Sequence, residues 1–213
     1  MIKLIIFDYD GVIVDSFHTV HEVYQTICEK MGKHCPKDLE EFRKVYGYSV
    51  SECYSNLGFS QEERVQANFI FKEEIVKKEP ELYDGISEVL HELRKRYTLV
   101  LISSTYKEEV EQKLRKYGIL DVFEMILAKE HHLQSGGKVD HIKSTIRFYG
   151  LHPEEVVSVG DRAIDYAKGT EAGLKNIILV EYGWGYSTEQ VPGYERRVIV
   201  KKPRDILKAV KAF

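Results

Sequence analysis

Short apolar runs rich in β-branched residues alternate along the chain with amphipathic stretches of helical length. Five runs have the length and composition of buried strands: Lys3–Phe7, Thr98–Ile102, Phe123–Leu127, Val156–Val159 and Ile177–Val180. Four stretches between them carry apolar residues at helical spacing: Glu88–Arg96, Lys107–Tyr117, Lys143–Tyr149 and Ala163–Ala172. This alternation predicts an α/β fold: a Rossmann-like three-layer core whose central parallel sheet carries helices on both faces.

The segment 17–79 departs from this alternation. It contains three stretches typical of helices and no run typical of a buried strand, and we expect its aromatic residues, such as Tyr24, Phe69 and Phe71, to form its core. The alternation resumes near "PELYDG", where Pro80 and Gly85 indicate a turn. We therefore predict a core domain of residues 1–16 and 80–213, with a small all-α domain, residues 17–79, inserted after the first strand.

Composition narrows the class of protein. The 213 residues include 31 basic and 34 acidic ones, a net charge of −3 that argues against nucleic-acid binding. No apolar stretch approaches the roughly 20 residues that span a bilayer, and the first residues do not resemble a signal peptide. The three cysteines form no CxxC pair, which favours reduced thiols. We expect a cytoplasmic monomer or homodimer that binds neither nucleic acid nor membrane.

Polar residues cluster where the predicted strands end, the place where open α/β sheets bind their ligands. The residues that follow these strands, or lie in the Gly-rich loop "SGGKVD", are Asp8 and Asp10, Ser103 and Ser104, Lys138, and Asp161 with Asp165 one helical turn later. Each alone has an ordinary explanation as a surface turn, a helix cap or a solvated lysine. Because all of them are expected at one edge of one sheet, we interpret them together as a site.

The residue types at this edge indicate phosphoryl chemistry. The carboxylates of Asp8, Asp161 and Asp165, with the backbone carbonyl of Asp10, offer only hard oxygen ligands, which suit Mg²⁺. Serine hydroxyls, N–H groups at a helix start and a lysine ammonium suit the oxygens of a phosphoryl group. A cation next to a phosphate predicts phosphoryl transfer, in which positioning and charge stabilisation dominate.

The segments "DYDGVIVDS", "LISS", Lys138 and "GDRAID" resemble, in this order, the four motifs of the haloacid dehalogenase (HAD)-like hydrolase superfamily, phosphatase branch. The helical insertion resembles the small α-helical (C1-type) cap of that superfamily. The resemblance implies a Mg²⁺-dependent phosphatase, similar to phosphoglycolate phosphatase, that hydrolyses a small phosphorylated metabolite through an aspartyl-phosphate. The presence of Asp10 favours phosphate chemistry over dehalogenation.

The resemblance also implies a role for each residue. Asp8 would be the nucleophile, Asp10 the general acid and then base, and Lys138 would neutralise charge and orient Asp8. The expected phosphate-binding residues are Gly11, Ser103, Ser104 and Lys138, and the expected metal ligands are Asp8, Asp10, Asp161 and Asp165. The hinge into the cap would lie at Asp15 and Ser16.

Two further positions carry expectations. Many relatives carry Ser or Asn after the aspartate of the last motif, whereas this chain has Arg162, which could pair with a carboxylate of the metal site. In the cap, Arg43 and Lys44 could contact a substrate anion, and a solvated helix face is the ordinary alternative.

Three other functions fit parts of the same pattern. A sugar phosphomutase similar to β-phosphoglucomutase uses the same motifs but protects its aspartyl-phosphate from water. A phospho-acceptor signalling domain of the receiver type is about half as long and carries its acceptor aspartate on a separate strand after the acidic pair. A non-catalytic binding domain on this fold would typically lack Asp8 or Asp10, and both are present.

Overall fold

The computed structural model describes residues 1–47, 50–130, 137–184 and 197–213. These residues form two compact units. The core unit comprises Met1–Asp15 and Glu81–Phe213, and the helical unit comprises Ser16–Pro80. No helix in the described part of the chain combines the length and the apolar character that crossing a bilayer requires.

The core unit is built on a parallel sheet with its first strand in the middle. The strands, in chain order, are β1 (Leu4–Phe7), β2 (Val14–Asp15), β3 (Glu81–Leu82), β4 (Thr98–Ile102), β5 (Met125–Leu127), β6 (Val156–Gly160), β7 (Asn176–Val180) and β8 (Arg197–Val200). Among the described residues, six strands form one parallel sheet in the order β5-β4-β1-β6-β7-β8, and β2 pairs with β3 antiparallel. Because Phe7 pairs with Leu101 on one side and Val159 on the other, three strands end at neighbouring points of one edge.

The described residues form nine α-helices, of which the last five cover both faces of this sheet. The helices are α1 (Phe17–Lys30), α2 (Leu39–Tyr46), α3 (Val50–Asn56), α4 (Gln61–Ile75), α5 (Ile86–Arg94), α6 (Lys107–Lys116), α7 (Lys138–Phe148), α8 (Ala163–Glu171) and α9 (Ile206–Lys211). Successive residues of β1 point to opposite faces, so Ile5 and Phe7 pack with α5, α6 and α9, while Leu4 and Ile6 pack with α7 and α8. The predicted three-layer α/β fold is confirmed.

The structure corrects the sequence-based elements at two places. Strand β8 was not predicted, because it has only three apolar residues, Val198–Val200, which lie between charged ones. Helix α7 begins at Lys138, five positions before its predicted start at Lys143. The loop therefore ends at Gly137, and Val139 and Ile142 already carry the apolar face that packs under the sheet.

The helical unit has a core of aromatic rings. Phe42 lies 5.5 Å from the Tyr24 ring, 5.6 Å from Phe17 and 5.9 Å from Tyr46, measured between centroids, and it is fully buried. The prediction that Phe69 belongs to this core is wrong, because 64% of its surface is exposed on α4. The four helices account for all the regular structure in the described residues of this unit.

Candidate active site

Lys138 joins two carboxylates at the edge of the sheet. Its Nζ lies 2.6 Å from Oδ2 of Asp8 and 2.7 Å from Oδ1 of Asp165, and all three side chains are largely buried. The backbone presents the lysine at the first position of α7, directly after Gly137. The structure thus brings together three of the residues that the sequence predicted for the site.

Asp8 is fixed by the strand that precedes it. Its backbone N–H donates to the carbonyl of Val159 at 3.0 Å, which extends the pairing of β1 with β6 by one residue. Its Oδ1 accepts a hydrogen bond from the N–H of Tyr9 at 2.9 Å, while Oδ2 accepts from Lys138. Both carboxylate oxygens therefore have a defined orientation.

Asp161 and Asp165 complete an acidic cluster at the end of β6. The Asp161 carboxylate accepts the N–H of Trp184 through Oδ2 at 3.1 Å, and Asp165 accepts the N–H of Arg162 through Oδ2 at 3.1 Å. One oxygen each of Asp8, Asp161 and Asp165 can be chosen so that all lie within 4.8 Å of one another. The buried Oδ1 of Asp161 has no hydrogen-bond partner among the residues that the structure describes.

Two glycines leave room for the Asp161 carboxylate. Gly11 has a φ of 75°, and a Cβ at this position would collide with Oδ2 of Asp161. A Cβ at Gly183 would collide with the Cβ of Asp161 and with the carbonyl oxygen of Gly11. Any side chain at either position would displace the carboxylate, so the backbone itself forms one wall of the acidic cluster.

Burial and neighbouring charges shift the pKa values of the three carboxylates in different directions. Burial raises the pKa of Asp8 to about 7 against the opposing charge of Lys138, and Asp165 and Asp10 raise it further. Burial also raises the pKa of Asp161, with the charges of Asp165 and Asp8 adding to the effect. For Asp165, burial is outweighed by Lys138, so its pKa is lowered. Lys138 thus pairs with two of the three carboxylates, and the cluster favours an additional positive charge.

The residues present fit a hard divalent cation. Asp161 offers a buried carboxylate oxygen without a protein partner among the described residues, and Asp8 and Asp165 lie within reach of the same point. An all-oxygen donor set of this charge is the kind that binds Mg²⁺. The ligand role of the Asp10 backbone carbonyl stays a prediction.

Asp10 is held by a residue to which the sequence analysis assigned no role. The hydroxyl of Thr105 donates to Oδ2 of Asp10 at 2.6 Å, and the N–H of Thr105 donates to Oγ of Ser103 at 3.0 Å. Ser103 is fully buried at the end of β4, whereas Ser104 is exposed. Thr105 follows the predicted strand by three positions, and this placement was the one signal of its role in the sequence.

Arg162 contacts the cluster in more than one way. Its guanidinium lies 5.8 Å from the centre of the Trp184 ring, and its charge helps to lower the pKa of Asp165. Its backbone N–H also binds that carboxylate, in the manner of a helix cap. The arginine therefore adds positive charge beside the carboxylates.

The two cap candidates have different surroundings within the helical unit. The guanidinium of Arg43 lies over the ring of Phe17 at 4.4 Å, and its Nε is 3.6 Å from the carboxylate of Glu40. Lys44 is exposed on the same helix. A role for either residue in substrate binding stays a prediction.

The acidic cluster at the central strand ends of this α/β sheet, with Lys138 of α7 beside it, has the position and the chemistry of an enzyme active site. The chain belongs to the haloacid dehalogenase-like hydrolase family, whose model matches residues 5–179. It is similar to the phosphoglycolate phosphatase of Synechococcus elongatus, with 25% identity over 98% of this chain and 97% of that protein. The predicted superfamily and the predicted enzyme class, a hydrolase with phosphatase relatives, are confirmed.

Solved structures share the fold over the whole chain. A haloacid dehalogenase-like hydrolase from Streptococcus pneumoniae aligns with a TM-score of 0.87 and 23% identity, covering 98% of both chains. A putative β-phosphoglucomutase from Thermotoga maritima aligns with a TM-score of 0.70 and 22% identity, covering 99% of both chains. At 23% and 22% identity the two structures support the fold only. The reaction has to be inferred from the residues of the site.

Proposed function

We propose that this protein is a Mg²⁺-dependent phosphatase that hydrolyses a small phosphomonoester through an aspartyl-phosphate. The observation that carries the proposal is the pair of ion pairs from Lys138 to Asp8 and Asp165 beside the buried carboxylate of Asp161. This arrangement combines a carboxylate nucleophile, a fixed cation and a cluster of hard oxygen ligands at one point.

The first step would transfer the phosphoryl group to Asp8. A carboxylate oxygen of Asp8 attacks phosphorus while the bond from phosphorus to the alcohol oxygen breaks, and the departing oxygen takes a proton from Asp10. Lys138 favours the ionised form of Asp8 that this attack requires, because its ammonium contacts Oδ2 at 2.6 Å. Thr105 holds the Asp10 carboxyl in one orientation through its 2.6 Å hydrogen bond.

The second step would release phosphate and restore the enzyme. Asp10 takes a proton from a water molecule, whose oxygen attacks phosphorus as the bond to the Asp8 oxygen breaks. The products are inorganic phosphate and the free carboxylate of Asp8. Ser103, the N–H of Ser104 and Gly11 would hold the phosphoryl oxygens in both steps, as the family resemblance implies.

Magnesium fits the same set of residues. Asp8, Asp161 and Asp165 would hold the ion, with the Asp10 carbonyl as a further ligand, and the bound ion would offset the negative charge of the phosphoryl oxygens. The positive charge would also lower the raised pKa values of Asp8 and Asp161, which keeps both carboxylates ionised near neutral pH.

We propose phosphoglycolate and related small phosphomonoesters as the substrate class. The support is the similarity over nearly the full length to a protein named phosphoglycolate phosphatase. The balanced net charge of the chain agrees with a small-molecule substrate rather than a nucleic acid. We further propose that the protein acts in the cytoplasm as a monomer or homodimer.

A phosphate-release assay over a panel of phosphorylated metabolites tests this function. Wild type and Asp8→Asn are compared with and without Mg²⁺, and Asp121→Asn, at an exposed aspartate, is the matched control. We expect release that EDTA abolishes, a loss of roughly a thousandfold or more in Asp8→Asn, and no change in the control. Full activity of Asp8→Asn, full activity in EDTA, or isomerisation of a sugar phosphate without phosphate release would refute the proposal.

A further inference from the structure

The helical unit buries a pair of cysteines that the phosphatase mechanism does not use. Cys28 lies near the end of α1 and Cys35 in the segment that leads to α2, and their thiols are within hydrogen-bonding reach of each other. Both are free thiols, with 1% and 9% of their residue surface exposed. Two sulfur atoms in contact are a precondition for a disulfide.

The segment that contains Cys35 is hydrogen-bonded to α1 on both sides of that residue. At one end, the N–H of Lys33 donates to the carbonyl of Cys28 at 2.8 Å. At the other, the carbonyl of Pro36 accepts a hydrogen bond from Nε2 of His21 at 2.7 Å. His21 and Cys28 are seven positions apart on α1 and share one face of that helix, so the segment runs along this face and keeps Cys35 against Cys28.

The surroundings make Cys28 the more nucleophilic of the two sulfurs. A hydrogen bond from Cys35 lowers the pKa of Cys28 against the effect of burial, and the positive charge of Lys33 lowers it further. The pKa of Cys35 is raised, first by the same hydrogen bond and then by burial. We therefore expect Cys28 to be oxidised first and Cys35 to react with the oxidised Cys28.

We propose that Cys28 and Cys35 form a peroxide-sensitive dithiol that closes reversibly to a disulfide. The Cys28 thiolate attacks one oxygen of hydrogen peroxide, which breaks the O–O bond and gives a sulfenic acid and hydroxide. The sulfur of Cys35 then attacks the sulfenic sulfur, its proton leaves with the departing hydroxyl as water, and the S–S bond forms. Overall, two thiols and one peroxide give one disulfide and two waters.

The segment that carries Cys35 lies at the surface of the helical unit. Cys35 belongs to a surface segment in which His34 and Lys37 are exposed on either side of it. The third cysteine, Cys53 in α3, is buried like Cys28 but differs in its pKa, which burial raises to about 12. Cys53 therefore serves as an internal control that contains the same chemical group without the same reactivity.

Treatment of the folded wild-type protein with hydrogen peroxide, followed by mass spectrometry and thiol counting, tests the proposal. We expect the loss of two of the three free thiols, a mass lower by two hydrogen atoms, and a peptide map that links Cys28 to Cys35. Dithiothreitol should restore all three thiols. A protein that keeps three free thiols at a peroxide concentration that oxidises glutathione, or a linkage that includes Cys53, would overturn the proposal.

Three variants separate the roles of the sulfurs. Cys35→Ser should stop at a sulfenic acid on Cys28 that dimedone traps, Cys28→Ser should trap no dimedone, and Cys53→Ser should form the disulfide as wild type does. Equal dimedone labelling of Cys35→Ser and Cys28→Ser would contradict the assignment of Cys28 as the attacking sulfur. The linkage map of the wild type decides the proposal even where a variant does not fold.

Discussion

The two units of this protein differ in the charged side chains that their described residues bury. In the core unit, the buried polar groups include the ionisable cluster of Asp161 and Lys138 at the strand ends, and Lys138 makes two short ion pairs. In the helical unit, buried volume comes from packed rings such as Phe42 and Tyr24, and ion pairs such as that of Lys30 with Glu74 lie towards solvent.

The difference separates what stabilises the fold from what performs chemistry. Buried aromatic rings contribute stability through apolar burial and edge-to-face contacts. Burying a carboxylate costs desolvation free energy, and the attraction to a neighbouring positive charge offsets only part of that cost. A protein therefore gains little stability from buried carboxylates. The cluster at the sheet edge is therefore best explained by function, and the ring cluster by folding.

The strongest test of this contrast is Lys138→Met, which keeps the length of the side chain and removes its charge. We expect turnover to fall by about a thousandfold, because Asp8 loses the cation that orients it and favours its ionised form. Steady-state kinetics measures the effect. Lys143→Met, at an exposed lysine of the same helix, is the control, and equal activity of the two variants would remove Lys138 from the site.

The matching test in the helical unit is Phe42→Ala. We expect the free energy of unfolding to fall by about 3 kcal/mol, because the change removes a fully buried ring that packs on Phe17, Tyr24 and Tyr46. Denaturant unfolding measures the loss. Phe69→Ala removes the same ring from an exposed position and should cost under about 0.5 kcal/mol, so similar losses would contradict the described core.

A smaller effect is expected from Thr105→Val, which removes one hydroxyl at nearly constant volume. Asp10 would lose its 2.6 Å hydrogen bond, and we expect turnover to fall about tenfold with little change in unfolding midpoint. The control is Thr145→Val on α7, where a buried hydroxyl has no hydrogen-bond partner among the described residues. Wild-type turnover in Thr105→Val would show that Asp10 does not depend on this contact.

The smallest effect concerns pH and the raised pKa of Asp8. Folded Asp8 binds a proton with a pKa of about 7, against roughly 3.9 in an unfolded chain, so the folded state holds more protons between these values. This contribution to stability is present at low pH and is lost as the pH rises towards 7. In EDTA, the stability lost between pH 6 and pH 8 corresponds to about 1.4 kcal/mol, so we expect the Tm of wild type to fall by about 3–5 °C relative to Asp8→Asn over that interval. Thermal unfolding at a series of pH values measures the difference, and a constant gap between the two proteins would contradict the raised pKa.

The sheet and much of the candidate site could be predicted because strands that are buried on both faces are recognisable in the sequence as apolar runs. The runs that became β1, β4 and β6 are apolar except for Thr98 and Ser158, and a polar residue follows each one. Parallel strands bring those residues to one edge of the sheet. The proximity of Asp8 to Asp161 could therefore be predicted from where the strands end.

Other features depend on contacts that periodicity does not encode. The hydrogen bond from Thr105 to Asp10 joins residues 95 positions apart, and the approach of Gly183 to Asp161 requires the turn after β7. Strand β8 has only three apolar residues between charged ones, and Phe69 is apolar although α4 exposes it to solvent. In each case a three-dimensional neighbour, rather than local sequence, decides the outcome.

The contact between Asp8 and Lys138 spans 130 residues of sequence. A ribosome that has made the first strand has already made the proposed nucleophile, but the lysine and the two further aspartates emerge only much later. A nascent chain therefore carries Asp8 as an ordinary, solvated carboxylate until almost the whole sheet has assembled around it. Catalytic activity would report on complete folding of the core, and truncated translation products would lack the proposed activity.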